Sequence, residues 1–204
     1  MYSWGYGSTG YGMCNDGVYI YRAASGSTTT IYRTKMSDQS ESTIYTTGGS
    51  YNAPRANQGS CFTYHKGFIY SRDEASSTYV DKIRLSDMNC TRTNHSDFNL
   101  GSYSDGGFAT TATDGTNYLV EAGTSSWFYY NIDTDIVTKI SAGTQSSTEY
   151  GNGGTEIAPG IGLIFGEETD RATIINMNTK SMTTVQSNNP LHTYTTNYAY
   201  GNRI

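Results

Sequence analysis

Carboxylates stand close together at Asp73-Glu74 and at Glu167-Glu168 with Asp170. Paired carboxylates suggest glycoside hydrolysis, in which one acid protonates the leaving group while a second carboxylate about 5–10 Å away acts as base or nucleophile. Both sets fall on predicted connections between strands, where neighbouring acids form a solvated turn. His65, His95 and His192 are scattered, and no serine or cysteine elbow matches them as a triad would need. Cys14, Cys61 and Cys90 are an odd, widely spaced set without a C-x-x-C pair, so they read as buried thiols and not as a disulfide framework or zinc site. Asp133-Thr134-Asp135 lacks the further ligands of a calcium loop, and the glycines never form G-x-G-x-x-G between a strand and a helix. We therefore expect no catalytic residue, no bound metal and no cofactor. Recognition is the better-represented chemistry. Tyr51, Arg55, Phe98, Tyr103, Tyr150, His192 and Tyr194 lie in stretches of Ser, Gly and Asn. Rigid amphipathic rings in such a setting give contact area at small entropic cost. A structural role competes for Tyr51, Tyr103, Tyr150 and Tyr194, which recur between repeats and could pack there. Arg55 and His192 do not recur.

The elements that would carry these residues are written in a repeat. Tyr130-Asn131-Ile132-Asp133-Thr134-Asp135-Ile136-Val137-Thr138-Lys139-Ile140 reads as strand, polar turn, strand, because short Asp and Thr side chains can bond their own backbone. The same pattern returns at Lys35-Met36-Ser37-Asp38-Gln39, Arg84-Leu85-Ser86-Asp87-Met88 and Asn176-Met177-Asn178-Thr179-Lys180. A turn glycine precedes each copy, and Gly17, Gly67, Gly115, Gly160 and Gly201 are spaced 50, 48, 45 and 41 residues apart.

Four strands, A to D, fit each period. The first repeat has A at about 9–14, B at 18–22, C at 28–36 and D at 42–47. The second has 60–64, 68–72, 78–85 and 89–94. The third has 108–113, 117–121, 127–132 and 135–140, and the fourth 155–158, 161–165, 172–177 and 181–186. A fifth A strand, 195–200, begins before the sequence ends. The Asp-Gly turns predict type I′ hairpins. The A–B and C–D turns are short. The D–A connections at 48–57, 95–105, 141–152 and 187–194 are longer, and they hold the recognition residues named above. The B strands, such as Val18-Tyr19-Ile20-Tyr21, are apolar on both faces, as expected of strands with sheets stacked above and below. Four-stranded repeats of this length are the mark of β-propeller blades. A two-sheet sandwich would show cleaner alternation and no such period. The expectation is an all-β, single-domain propeller over residues 1–204, with repeats at about 9–57, 58–105, 106–152 and 153–194 and a partial fifth at 195–204. Closure would come from the spare strand completing a blade, or from the blades of two or more chains combining.

Composition narrows the function classes. The 204 residues carry a net charge of −5, with 13 Lys and Arg and no basic run, which argues against a nucleic-acid partner. No stretch approaches the ~20 apolar residues that cross a bilayer, so membrane insertion is not expected. The start, Met1-Tyr2-Ser3-Trp4-Gly5, has neither a cationic flank nor an apolar segment, so no secretion signal is expected.

The Asn131–Ile140 turn sentence resembles the outer hairpin of kelch-like and quinoprotein-like propeller blades. A loose kelch double glycine is present at Gly48-Gly49, Gly106-Gly107 and Gly153-Gly154. The resemblance implies a fold and carries no chemistry. A chain without an export signal or disulfide framework, yet with 19 tyrosines in a Ser/Thr/Asn/Gly-rich surface, also resembles the structural proteins of bacterial viruses. That resemblance implies a non-enzymatic phage virion component of the tail, fibre or capsid surface. It would be assembled in the host cytoplasm, and would dock to other virion proteins, to copies of itself or to a cell-surface glycan. The alternatives are a stand-alone lectin-like, carbohydrate-binding propeller and a polysaccharide-acting enzyme using Glu167 or Asp170.

Overall fold

The computed structural model describes residues 12–24, 29–50, 61–72, 78–96, 104–123, 127–140, 154–165 and 171–186. They form sixteen strands in four antiparallel sheets, with no helix among them. The first sheet is β1 (Met13–Asn15), β2 (Tyr19–Ala23), β3 (Thr30–Lys35) and β4 (Glu41–Tyr45), and the second is β5 (Cys61–His65), β6 (Phe68–Arg72), β7 (Tyr79–Arg84) and β8 (Cys90–Asn94). The third is β9 (Ser104–Thr111), β10 (Asn117–Gly123), β11 (Trp127–Asn131) and β12 (Ile136–Ile140), and the fourth β13 (Gly154–Ala158), β14 (Ile161–Phe165), β15 (Arg171–Asn176) and β16 (Ser181–Gln186). Each sheet keeps chain order from first strand to fourth. The first strands β1, β5, β9 and β13 pack on one another in sequence. Successive blades therefore converge along their inner strands and fan outward, which is the geometry of a propeller.

The turn glycines are equivalent. Gly17, Gly67, Gly115 and Gly160 all have φ between +73° and +89°. The turns around them differ from the type I′ expectation at Asp-Gly. The pairing of Asn15 with Ile20 leaves a four-residue connection, and Asp16 caps it by accepting from the amides of Val18 and Tyr19 at 2.8 and 2.7 Å. The two-residue type I′ turn occurs instead at Lys66-Gly67, both with positive φ, because His65 pairs directly with Phe68. Pro159-Gly160, with positive φ only at the glycine, is the type II solution. Register, more than the dipeptide, selects the turn.

The C–D hairpins share a feature that residue type does not announce. Gln39, Met88, Asp135 and Lys180, one in each of the four C–D turns, all adopt φ between +54° and +60°. A left-handed conformation costs an L-residue about 1–2 kcal/mol, so the fold imposes it four times over. Gln39→Gly is expected to raise the urea-unfolding stability by about 0.5–1 kcal/mol, part of the relief being lost to unfolded-chain entropy. Gln39→Val, which cannot adopt this conformation comfortably, should lower it.

Three apolar layers lie between consecutive sheets. Tyr21, Ala23 and Ile31 of the first meet Phe62, Ile69, Ile83 and Cys90 of the second. Cys61, Tyr70 and Val80 meet Ala109, Leu119, Phe128 and Tyr130 of the third. Phe108, Tyr118, Val120 and Trp127 meet Ile164, Ile175 and Met177 of the fourth. Burying each large side chain contributes about 1.5–3 kcal/mol. The B strands of the second and third sheets must thus be apolar on both faces, since those sheets have a neighbour on either side. All three cysteines are buried free thiols.

Three glycines of the double-glycine pattern, Gly106, Gly107 and Gly154, lie inside strands. β9 begins at Ser104, so Gly107 is a strand residue on the axis side. A Cβ on Gly154 would meet the Gly107 carbonyl oxygen at 2.6 Å, and one on Gly107 would meet the Val120 oxygen at 2.6 Å. Glycine is there because inner-strand backbones approach closely.

Candidate functional site

The densest polar chemistry among the described residues runs along the seam between the second and third blades. At the turn end, Lys66 sits in the β5–β6 turn, His65 and Thr111 end β5 and β9, Asn117 opens β10, and Asp133 lies in the β11–β12 turn. Asp133 takes the Asn117 amide nitrogen at 2.8 and 3.0 Å and its backbone N–H at 2.8 Å. A carboxylate only accepts, so Nδ2 must face Asp133 and Oδ1 must face the other way. Oδ1 then receives Lys66 Nζ at 2.7 Å, Thr111 Oγ1 at 2.9 Å and His65 Nε2 at 2.9 Å. This arrangement requires His65 to carry its proton on Nε2. Burial depresses the His65 imidazolium, although the Asn117 acceptor partly opposes that.

Asp133 was expected to cap its own turn. Asn131 does that instead, accepting from the amides of Asp133 and Thr134 at 3.0 and 3.1 Å. Asp133 is thereby free to fasten Asn117. Donors from the Asn117 side chain and backbone hold its carboxyl below the ordinary 3.8. A depressed folded value means that this contribution is present above the ordinary value and is lost as pH falls through the folded one. Asp133→Asn should flatten the decline of unfolding free energy between pH 5 and 2 relative to wild type, as measured by urea titrations at each pH.

The loop end of the same seam holds a buried ion pair. Arg72 closes β6, Glu121 lies near the end of β10, both side chains are 1% exposed, and Arg72 Nη1 donates to Glu121 Oε2. Burial pushes the Glu121 carboxyl above its ordinary value, opposed by the charge and donor of Arg72. Burial, then the charge of Glu121, pushes the neighbouring Cys61 thiol up. Such a thiol is a poor nucleophile. Further out, His95 follows β8, and its Nε2 stands 3.3 Å from Asp135 Oδ1, off the angle of a hydrogen bond. Tyr130 donates to the same oxygen at 2.6 Å.

The adjacent seams use the same devices. Thr47 bridges in parallel to Asn89, its amide donating to the Met88 carbonyl at 2.8 Å, so the end of the first blade meets the β7–β8 turn of the second. Between the third and fourth blades, Asn178 Oδ1 accepts from the Thr113 amide at 2.7 Å, and Thr110 donates to Glu156 at 2.6 Å.

Chemically, this arrangement ties blades together. An amide separates His65 from Asp133, and it is the Asn117 oxygen, not a carboxylate, that faces His65 Nε2. Glu121 is neutralised by Arg72. No group of three or more His, Cys, Asp or Glu side chains capable of holding a metal occurs among the described residues. Asp133 and Asp135 serve Asn117 and Tyr130. Of the residues singled out in the sequence, the structure places His65 and His95 in seams. Tyr51, Arg55, Phe98, Tyr103, Tyr150, His192 and Tyr194 lie outside the described residues, as do Asp73, Glu74, Glu167, Glu168 and Asp170. Residue type alone did not reveal the Arg72–Glu121 pair, but a signal existed: opposite charges close the predicted B strands of adjacent repeats.

No protein-family model matches the sequence, and no curated protein matches it. Solved structures do share its architecture. The WD40 repeats of RRP9 superpose at a TM-score of 0.55 with 10% identity, covering 84% of this chain and 48% of theirs. Virginiamycin B lyase from Staphylococcus aureus gives 0.53 with 13% identity, over 87% of this chain and 55% of the lyase. A chain of the mitotic checkpoint complex gives 0.52 with 11% identity, over 88% and 51%. The fold is a β-propeller, and the chain spans about half the length of the structures it matches. Of the resemblance read in the sequence, the β-propeller blade architecture is what these structures share.

Proposed function

We propose that this β-propeller is a non-enzymatic binding and scaffold protein that serves as a structural component of a phage virion, docking to neighbouring virion proteins or to the host surface. The observation that carries the reading is the use of the seam side chains. Lys66, Asn117, Asp133, Arg72 and Glu121 hold blade to blade, which suits a rigid platform for binding. Tyr51, Arg55, Phe98, Tyr103, Tyr150, His192 and Tyr194 remain the proposed contact residues. The matched chain within the mitotic checkpoint complex supports the scaffold part by analogy, since that propeller is a member of a multiprotein assembly. The virion part rests on the composition, rich in Tyr, Ser, Thr, Asn and Gly. Quantitative mass spectrometry of purified particles should find the chain at a fixed stoichiometry to the other virion proteins. Finding it free in the lysate and absent from particles would overturn the virion assignment. Glycan-array binding lost in Tyr103→Ala would move the assignment to a lectin-like propeller.

A further inference from the structure

In each of the first three blades, one face of the second strand lies under the following sheet: Tyr19 and Tyr21, then Phe68 and Tyr70, then Tyr118 and Val120. Ile161 and Leu163 occupy the corresponding face of β14. Leu163 pairs with Ile174, and Ala172 with Val185, so these side chains share that face. The side chains described there (Thr155, Ile157, Ile161, Leu163, Ala172, Ile174, Asn176, Ser181, Thr183 and Val185) include no charge. No following sheet exists among the described residues, and Ile157 and Val185 are 53% and 45% exposed. The opposite end of the arc also lacks a neighbouring sheet among the described residues, and its face carries the Arg22–Glu41 ion pair at 3.7 Å. Ile20 and Thr34 pair with each other, as do Arg22 and Tyr32, on the first blade's outward face, which corresponds to the faces of Ile69 and Leu119 that receive a preceding blade. Tyr45 on that side is 63% exposed. The first and fourth sheets do not pack substantially on each other.

The geometry points to a second copy of this chain as the occupant: the outward face of the fourth blade packs on the outward face of the first blade of a partner, and the reciprocal contact closes one ring from two chains. Continuity with the three internal seams supplies the chemistry, because the fourth blade offers the same face that three blades already bury. The superposed propellers supply the number. Nearly all of this chain overlays about half of each of them, so its arc is that of a half ring, which two copies close. A head-to-tail contact of this kind makes a closed ring when the rotation completes and a filament when it does not. The inference holds whether or not the ring belongs to a virion.

Light scattering on a size-exclusion column tests it. Wild type should elute at twice the chain mass of 22.3 kDa. Ile157→Asp and Tyr45→Asp, both at exposed positions and so compatible with folding, should each weaken dimerisation at least tenfold while circular dichroism and the unfolding midpoint stay put. An equimolar mixture of the two variants should regain dimer, since it contains one junction with both faces intact. A wild-type monomer at tens of micromolar would overturn the inference and assign the face to further blades or another protein. An unchanged dimer in both variants, or no recovery on mixing, would equally overturn it.

Discussion

Glu121→Ala loses about 3–5 kcal/mol of unfolding free energy at neutral pH, because it removes the carboxylate that balances the Arg72 charge in a seam where both side chains are 1% exposed. The comparison that isolates the cause is the double variant Arg72→Met/Glu121→Leu. Replacing both partners with apolar side chains of similar volume removes the desolvation cost along with the attraction, and such exchanges are often neutral or stabilising. The double variant should therefore lie within about 1 kcal/mol of wild type, or above it, in urea titrations. Arg72→Met alone has a pH signature. Burial already raises the folded Glu121 carboxyl above the ordinary 4.5, so this group favours the fold most below that value and gives up its contribution as pH rises through the folded one. Without Arg72 the carboxyl rises further, so the loss should be smaller at pH 4 than at pH 7. A loss independent of pH would mean that Arg72 acts through packing alone.

Gly154→Ala is expected to cost about 3 kcal/mol, the upper end for overpacking. The added methyl would meet the carbonyl carbon and oxygen of Gly107 at 2.7 and 2.6 Å. Those atoms are backbone and cannot rotate aside, so the third and fourth sheets must part. Gly115→Ala is the control: its methyl meets nothing within 4 Å, and only φ of +89° penalises it, at about 1–2 kcal/mol. Trp127, 1% exposed in the layer between the third and fourth sheets, reports the difference. Its fluorescence should shift to the red in Gly154→Ala and stay unchanged in Gly115→Ala.

The strands were the most legible part of the sequence. The bounds of Phe68–Arg72, Ile161–Phe165 and Ser181–Gln186 are the same in sequence and structure, because β-branched and aromatic runs there end abruptly at turn residues. The period was legible because each blade repeats one hairpin sentence and one left-handed glycine. Turn types were not, since they depend on which residues pair across the hairpin. Asp16-Gly17 and Lys66-Gly67 look alike in the sequence but close connections of different length. The seam chemistry was hidden for a related reason. Asn117 gains meaning only when Lys66 and Asp133 arrive from other turns, and Arg72 becomes costly only once Glu121 and the third sheet bury it. The recognition tyrosines were named from residue type and spacing, and their stretches lie outside the described residues.

A double-cysteine cross-link tests most directly whether the blades are stacked as described. Thr113 belongs to the β9–β10 turn and Asn178 to the β15–β16 turn, 65 residues apart in sequence, yet Thr113 Oγ1 lies 3.1 Å from Asn178 Oδ1. Under mild oxidation Thr113→Cys/Asn178→Cys should form an intramolecular disulfide, found by peptide mapping, whereas Val18→Cys/Asn178→Cys, joining the first and fourth blades, should not. Native thiols compete little, since burial pushes Cys14 and Cys61 well up and Cys90 up to about 11. Equal cross-linking in the two pairs, or none in the first, would contradict the sequential sheet-on-sheet stacking from which the seams, the open faces and the proposed ring all follow.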